Sequence, residues 1–182
     1  MTITYHYEIY QNTPEWYQLH CGTITSSVMG KILTPKQAKM ANNKDSRTMI
    51  YDKLAELITK HVPDGYQSFD MMRGHADEIE ARQFYNQHYA KVTECGFVTN
   101  DEWGFVLGYS PDGLVGEDGL IEIKSRLPKY QVETIINNEV PEEYVMQIQL
   151  ALLVTGRKWL DFCSYCGGFP MFVKRVYPDK AM

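Results

Sequence analysis

The stretch Ile121-Glu122-Ile123-Lys124 alternates apolar and charged side chains. In a β-strand, successive side chains point to opposite faces, so the two isoleucines can enter a core while Glu122 and Lys124 share the other face. Just upstream, Pro111-Asp112-Gly113 has the composition of a tight turn between two short strands, which would bring the Asp112 carboxylate beside Glu122. Two carboxylates and one ammonium group on a common face indicate a divalent-metal site with a lysine beside it.

Length and composition predict a single domain over residues 1–182, because 182 residues with 44% hydrophobic content can bury a sizeable core. The net charge of −5 argues against a protein that coats nucleic acid by charge alone, although a local basic groove is compatible with it. No stretch approaches the roughly 20 apolar residues of a membrane helix, and the first residues lack the pattern of a secretion signal. We therefore expect a cytoplasmic protein with no membrane partner.

The chain has four cysteines, Cys21, Cys95, Cys163 and Cys166. Without a secretion signal, they are expected to be reduced thiols rather than a disulfide framework. Cys163 and Cys166 have the spacing of a metal knuckle, but no second pair with similar spacing completes a tetrahedral site. A structural zinc or iron–sulfur centre is therefore disfavoured.

Hydrophobic periodicity predicts an α/β fold in which a central mixed β-sheet is flanked by helices. The polar, lysine-containing segment 35–47 is expected to be mobile and exposed. Helices are predicted over 14–20, 23–33, 48–61, 71–89, 130–137 and 141–155. Strands are predicted over 5–10, 92–98, 105–109, 114–115, 120–125, 159–165 and 171–176.

A longer series of motifs surrounds the opening stretch. Pro111-Asp112, nine residues, and then Glu122-Ile123-Lys124 match the short signature of the PD-(D/E)xK nucleases. Further motifs stand in register with it: Trp16, Gly22 to Ser27, Gly74-x-x-x-Glu78-x-x-Ala81-Arg82, Ser110 to Leu114, and Gln147-Ile148-Gln149. Over residues 15 to 165 the chain thus resembles the lambda exonuclease and YqaJ-type viral recombinase family. The resemblance implies a restriction-endonuclease-like PD-(D/E)xK core in a single nuclease domain, and a deoxyribonuclease.

The chemistry of phosphodiester hydrolysis explains the residue types in the signature. Mg²⁺ takes oxygen ligands and keeps several waters, so carboxylates are its natural protein ligands. A pair of such ions can activate the attacking water and stabilise the leaving oxygen. We expect Asp112, Glu122 and the Ile123 carbonyl to bind Mg²⁺, with two ions per site and Mn²⁺ able to substitute. Lys124 would orient or deprotonate the water.

The family resemblance adds two further residues to the site. Glu78 corresponds to a helix carboxylate at the metal site, and Gln147 to a glutamine beside the catalytic lysine. Each has a simpler alternative, since Glu78 could pair with Arg82 one helical turn later and Gln147 could lie on a helix surface. The family also uses the turn before the Ser110-Pro111-Asp112 strand, where either Asp101 or Glu102 could serve.

The resemblance also implies a binding site for the 5′ phosphate of a DNA end. Ser27 corresponds to a phosphate-contacting residue, and Thr25 lies at the same helix start, where free N–H groups attract phosphate. The family's usual arginine is replaced by His20, whose charge near neutral pH depends on its surroundings. Lys31 or a residue of loop 36–47 could supply the charge instead. Arg126 stands where a proline often follows the lysine motif, and could add a phosphate contact.

Together these features predict a Mg²⁺-dependent 5′-to-3′ exonuclease that digests linear double-stranded DNA and leaves 3′ single strands for phage-type homologous recombination. The family implies a homotrimer, a single-strand annealing protein as partner, and a phage or prophage origin within a bacterial cell. Two alternatives stay open at this point: a DNA endonuclease of the same fold, and a non-catalytic module that binds DNA ends.

Overall fold

The computed structural model of the protein describes residues 2–34, 39–63 and 69–181. This part of the chain forms two mixed β-sheets flanked by helices. The helices are α1 (Pro14–His20), α2 (Ser26–Ile32), α3 (Lys44–Thr59), α4 (Phe69–His88), α5 (Pro128–Asn137) and α6 (Glu142–Thr155). The strands are β1 (Ile3–His6), β2 (Ile24–Thr25), β3 (Val92–Thr93), β4 (Phe97–Asn100), β5 (Leu107–Tyr109), β6 (Gly113–Val115), β7 (Gly119–Ser125), β8 (Trp159–Tyr165) and β9 (Phe172–Val176).

The predicted α/β class is confirmed, but the sheet is divided in two. A four-stranded sheet has the order β1-β4-β5-β2, and a five-stranded sheet has the order β3-β6-β7-β8-β9. Each sheet contains one parallel pair, β2 with β5 and β7 with β8, among antiparallel neighbours. The loop between β5 and β6 carries the chain from one sheet to the other, and Asp112 lies in it.

The division of the sheet begins at Gly96. The sequence predicts one strand over 92–98, whereas the structure has β3 and β4 in different sheets. A Cβ atom at Gly96 would lie 1.8 Å from the carbonyl oxygen of Ile9. The N-terminal arm, the segment 7–13 between β1 and α1, therefore packs against the backbone at position 96, where only a glycine leaves room. This close backbone contact lies beyond the reach of strand periodicity, which explains the wrong prediction.

Helix α6 is the centre of the larger core. Its buried residues reach almost all round the helix, as expected for a helix enclosed between layers; they are Met146, Ile148, Leu150, Ala151, Leu152, Val154 and Thr155. The helix contacts α2, β4, β5 and β8, and so touches both sheets. Together α5 and α6 form the crossover that parallel strands such as β7 and β8 require. The crossover brings α6 alongside the charged face of β7.

Several predicted elements are wrong in their bounds. Strand β2 occupies Ile24–Thr25, so α2 begins at Ser26 rather than at 23, and the first strand spans Ile3–His6 rather than 5–10. Helix α3 begins at Lys44 rather than at 48, and residues 35–38 lie outside the described ranges. Asn43 caps the helix by accepting from the Ser46 N–H at 2.9 Å, and the Ser46 hydroxyl accepts from the Asn43 N–H at 3.2 Å. In the described part of the chain, no helix is long and apolar enough to cross a membrane.

Arg157 links β1 to the five-stranded sheet through hydrogen bonds. The side chain is buried, and its Nη1 donates to the carbonyl oxygens of Gly116 at 2.9 Å and Gly119 at 2.7 Å. Its Nε donates to the Tyr5 hydroxyl at 3.3 Å, and its Cζ lies 5.4 Å from the Tyr5 ring centroid. The guanidinium group thus joins β1 to the turn between β6 and β7.

We expect Arg157→Met to lower the free energy of unfolding by about 3 kcal/mol, because the carbonyl groups of Gly116 and of the buried Gly119 lose a charged donor. Chemical denaturation with a two-state fit measures the change. Lys158→Met is the matched control, since the adjacent Lys158 forms only an exposed ion pair with Asp118; we expect a change of less than about 0.5 kcal/mol there. Equal effects at the two positions would contradict the role given to Arg157.

Candidate active site

The turn before β6 places Asp112 against β7, as the sequence predicts. Asp112 Oδ2 accepts a hydrogen bond from the Ile123 N–H at 2.6 Å. Strands β6 and β7 are antiparallel, with Gly113 opposite Ile121, so the residue before β6 falls next to the middle of β7. The carboxylate therefore lies beside the backbone that joins Glu122 to Lys124.

Glu122 is a buried carboxylate with three hydrogen-bond donors. Its Oε1 accepts from Lys124 Nζ at 2.7 Å and from Gln147 Nε2 at 2.6 Å. Its Oε2 accepts from the Tyr109 hydroxyl at 2.8 Å. Only 3% of Glu122 is exposed, so these contacts replace the water that the charged group would otherwise bind. The donors come from β7, α6 and β5, and they fix the carboxylate at the junction of both sheets.

Lys124 is an ammonium ion in this site. Burial lowers its pKa, but the charges of Glu122 and Asp112 and the hydrogen bond to Glu122 outweigh burial, so that the net shift is upward. Lys124 can therefore donate hydrogen bonds and offset negative charge at neutral pH.

Asp112 experiences strong repulsion from neighbouring carboxylates. Burial raises its pKa well above the usual range, and the charges of Glu122 and Glu78 raise it further, while Lys124 and the Ile123 N–H act in the opposite direction. Glu78 is thus close enough to Asp112 to affect its charge. An added cation would relieve this repulsion.

The donor set fits a hard divalent cation. Among the described residues, no three His, Cys, Asp or Glu side chains already form a group that could hold a metal ion, and Glu122 is engaged by protein donors. Nevertheless, the oxygen donors and the mutual repulsion of the carboxylates are the chemistry that Mg²⁺ satisfies. Asp112, Glu122 and Glu78 are accordingly the residues that would hold it.

Glu78 forms the ion pair considered for it, and its role at a metal site stays a prediction. It forms an ion pair with Arg82 one turn along α4, and Arg82 also approaches Glu94 at 3.1 Å. Glu78 and Asp112 both line a cavity of about 260 Å³ between α4 and the N-terminal arm. The ion pair with Arg82 holds the Glu78 side chain at the edge of this cavity.

The structure does not place the other predicted metal ligands, Ile123 and either Asp101 or Glu102, in contact with Glu122 through their described hydrogen bonds. The Ile123 N–H is the group that contacts Asp112, and metal binding by the Ile123 carbonyl stays a prediction. Asp101 Oδ1 accepts from the Thr2 N–H at 2.9 Å, and the Glu102 N–H donates to the Asn100 side chain at 3.0 Å. Both acidic residues lie on an exposed turn, and their described hydrogen bonds do not lead to Glu122 or Asp112.

Sequence reasoning missed Tyr109. Its ring is fully buried, and its hydroxyl donates to Glu122. Burial raises its pKa well above the usual value, and the negative charges of Glu122 and Asp112 raise it further, so the hydroxyl stays a donor. A strand tyrosine in an apolar stretch looks like an ordinary core residue. The available signal was that a buried tyrosine hydroxyl needs a partner, and Tyr109 stands three residues before Asp112.

The predicted phosphate-binding residues gather at the start of α2. Ser27 is exposed, and its hydroxyl lies 3.1 Å from that of the buried Thr25. Thr25 occupies the N-cap position without a side-chain hydrogen bond to the helix, so its side chain does not satisfy the first N–H groups of the helix. These groups are compatible with a phosphate contact.

His20 has a neutral ring that packs between aromatic residues. Its centroid lies 3.6 Å from that of Trp16 and 4.2 Å from that of Phe97. Burial lowers its pKa to about 4, against the opposing effect of the hydrogen bond with the Trp16 carbonyl. Nδ1 lies 2.9 Å from that carbonyl oxygen, so Nδ1 carries the proton and Nε2 is left as an acceptor. This geometry disfavours an ionic phosphate contact from His20.

Comparison with known proteins agrees with the class defined by this fold and site, a nuclease with a PD-(D/E)xK-type core. Residues 15–158 match the YqaJ-like viral recombinase domain, and the chain belongs to that family. No curated protein matches the chain significantly. The predicted deoxyribonuclease class is thus confirmed at the level of family and fold.

Solved structures provide a second comparison. The alkaline exonuclease LHK-Exo from Laribacter hongkongensis shares 30% identity, with a TM-score of 0.79 over 93% of this chain and 84% of that chain. LHK-Exo in complex with dAMP gives a TM-score of 0.80 at the same identity and coverage. The structure of SSO0001, at 12% identity and a TM-score of 0.52 over 92% of this chain and 76% of that chain, shows likeness of fold alone.

We expect Asp112→Asn to raise the free energy of unfolding of the metal-free protein at neutral pH by about 1 kcal/mol, a usual size for a change at a buried charge. Asparagine keeps an acceptor for the Ile123 N–H, and it removes a buried charge that Glu122 and Glu78 repel. Thermal and chemical denaturation in a chelator measure it. Asp118→Asn, at a half-exposed ion pair, is the matched control and should change stability by less than about 0.5 kcal/mol. A destabilised Asp112→Asn protein would refute the repulsion.

We expect the protein to lose stability through His20 as pH falls. Its folded pKa of about 4 lies below the ordinary 6.5, so between these values the unfolded state binds the proton and the native state does not. His20→Phe keeps the aromatic packing without this titration. The free-energy difference between wild type and variant should therefore shift by about 1 kcal/mol against wild type from about pH 7 to about pH 4.5, a value reduced because the ring is partly exposed. A pH-independent difference would rule this out.

Proposed function

We propose that the protein is a Mg²⁺-dependent 5′-to-3′ exonuclease that digests linear double-stranded DNA and leaves 3′ single strands for phage-type homologous recombination. Membership of the YqaJ-like viral recombinase family supports the recombination role. The likeness to an alkaline exonuclease, also solved with dAMP, supports exonuclease action that yields nucleotides. Mn²⁺ is expected to substitute for Mg²⁺.

The observation that carries the proposal is the arrangement around the buried Glu122 carboxylate. Lys124 and Gln147 donate to it, and the Ile123 N–H holds Asp112 beside it. A structural ion pair would need only one partner for Glu122. Here a second carboxylate, Asp112, is held against the first, and burial together with repulsion by Glu122 and Glu78 raises its pKa. Such an unfavourable arrangement is typical of sites that bind a cation.

In the proposed mechanism, Asp112, Glu122, Glu78 and the Ile123 carbonyl would hold one or two Mg²⁺ ions. The metal would supply an activated water and stabilise the leaving oxygen. Lys124 offsets the charge of the phosphate and orients the attacking water through its remaining N–H groups. Gln147 and Tyr109 hold Glu122 in place.

The DNA end would be held at the start of α2. Ser27 and Thr25 supply hydroxyl groups there, and the backbone N–H groups add donors. Since His20 is neutral at pH 7, the positive charge would come from the exposed Lys31 or from a residue of the segment 36–47. We further propose a homotrimer that encloses duplex DNA and a single-strand annealing protein as its partner, acting in the cytoplasm of a bacterial host.

Linear duplex DNA labelled at either 5′ or 3′ ends tests this function. With Mg²⁺, we expect early release of label from the 5′ ends, persistence of label at the 3′ ends, and no cutting of a closed circle. Asp112→Ala and Lys124→Ala should each lower the rate at least about 100-fold, as expected for groups that act on the reacting atoms. Lys158→Ala, which removes an exposed lysine, is the control and should retain the rate.

Each alternative has its own outcome in this experiment. Undiminished digestion by both site variants would refute the proposed site, and cutting of the circle would indicate an endonuclease. Digestion absent from the wild type, together with no Mg²⁺ binding by calorimetry, would indicate a non-catalytic module. Sedimentation velocity tests the trimer against the 21.1 kDa mass of one chain.

A further inference from the structure

Tyr144 lies beside the catalytic lysine without belonging to the motif that identified the site. It is in the first turn of α6, and its ring stacks on that of Phe162 with centroids 5.5 Å apart. Phe162 is fully buried on β8, directly opposite Glu122 in the parallel β7–β8 pair. The tyrosine ring therefore rests on the same part of the sheet that carries the catalytic side chains.

The Lys124 ammonium group faces this ring. Its Nζ lies 5.3 Å from the Tyr144 ring centroid, within the range of a cation–π interaction. It also donates to Glu122 at 2.7 Å. A flexible lysine side chain thus has contacts in two directions, one to a carboxylate and one to an aromatic face, and these define its position better than either contact alone.

Arg126 fixes the tyrosine in turn. Its Nη1 donates to the Tyr144 hydroxyl at 2.7 Å and to Glu143 at 2.6 Å. Its Cζ lies 5.4 Å from the Tyr144 centroid and 5.1 Å from that of Tyr130. Arg126 is only 8% exposed, and its backbone N–H donates to the Tyr165 carbonyl at 2.7 Å. The arginine is therefore itself well anchored.

Helix geometry connects Tyr144 with Gln147. Residues three apart lie on the same face of a helix. The side chains of Tyr144 and Gln147 each contact one member of the Glu122–Lys124 ion pair. Gln147 donates to Glu122, and Tyr144 faces Lys124. One turn of α6 therefore contacts both members of the Glu122–Lys124 pair.

We propose that Tyr144 is a positioning residue for Lys124, with its ring, which is stacked on Phe162, as the functional part. The proposal rests on the nuclease function proposed above, because it concerns the group that orients the attacking water. Without the ring, Lys124 would keep its bond to Glu122 but could rotate away from the water. A displacement of about 1 Å can lower a rate about 100-fold.

Steady-state kinetics of three variants on linear duplex DNA test this role. Tyr144→Leu removes the ring, and we expect kcat to fall about tenfold or more while KM changes by less than about threefold. Tyr144→Phe keeps the ring and should stay within about threefold of wild type in both constants. Tyr130→Leu is the matched control, since Tyr130 stacks on Arg126 as Tyr144 does, and we expect kcat to remain within about threefold.

An activity-independent measurement uses protein labelled with ¹³C at the lysine Cε. A lysine over an aromatic face has its CεH₂ proton signal shifted upfield by the ring current. We expect the shifted Lys124 signal to be absent from Lys124→Arg and Tyr144→Leu and retained in Tyr144→Phe. Lys129, whose Nζ lies 4.6 Å from the Tyr130 ring centroid, should give a second shifted signal that persists in all three variants. This spectrum of the wild type decides the contact even if Tyr144→Leu does not fold.

The proposal is overturned if wild type lacks the upfield Lys124 signal, if Tyr144→Leu folds and loses less than about tenfold in kcat, or if Tyr144→Phe is as slow as Tyr144→Leu. Failure of the nuclease function gives a different result. In that case wild type digests no DNA, while the spectra still show whether the Tyr144 ring holds Lys124.

Discussion

The buried carboxylate of Glu122 is the constraint on which the rest of the structure depends. A charged group with 3% exposure is tolerated only when hydrogen bonds replace its water. The three donors come from the four-stranded sheet, the five-stranded sheet and helix α6. The two sheets and the crossover helix must therefore meet at Glu122. The split sheet brings β5 to this point, and the crossover between the parallel strands β7 and β8 brings α6 there.

The acidic site carries a cost in stability. Burial raises the pKa of Asp112, and repulsion by the nearby carboxylates of Glu122 and Glu78 raises it further. A fold selected for stability alone would replace one of them with a neutral residue, since protein sites of this kind commonly exchange stability for function. The surrounding core compensates, because α6 and both sheets bury a continuous apolar cluster around the charged face.

Features of the fold and site that depend on neighbouring residues could be predicted from the sequence, and features that depend on residues far apart in the sequence could not. Strand alternation and a Pro-Asp-Gly turn were enough to bring Asp112 beside Glu122, because both effects are local, whereas Glu78 and Gln147 required the family resemblance. The break at Gly96 depends on Ile9, and the neutral state of His20 depends on Phe97, each far away in the sequence. Tyr109 resembled a core aromatic residue because only its hydroxyl reaches the site.

The parallel pairing of β7 with β8 has a consequence for biosynthesis. Ribosomes make the chain from its N-terminus, so Asp112, Glu122 and Lys124 emerge well before Gln147 on α6 and the strand that supports β7. A partly synthesised chain thus carries all the acidic and basic groups of the motif without the frame that orders them. The grouping of Asp112, Glu122, Lys124 and Gln147 can form only after α6 and β8 have been made, so the order of the site depends on the C-terminal part of the chain.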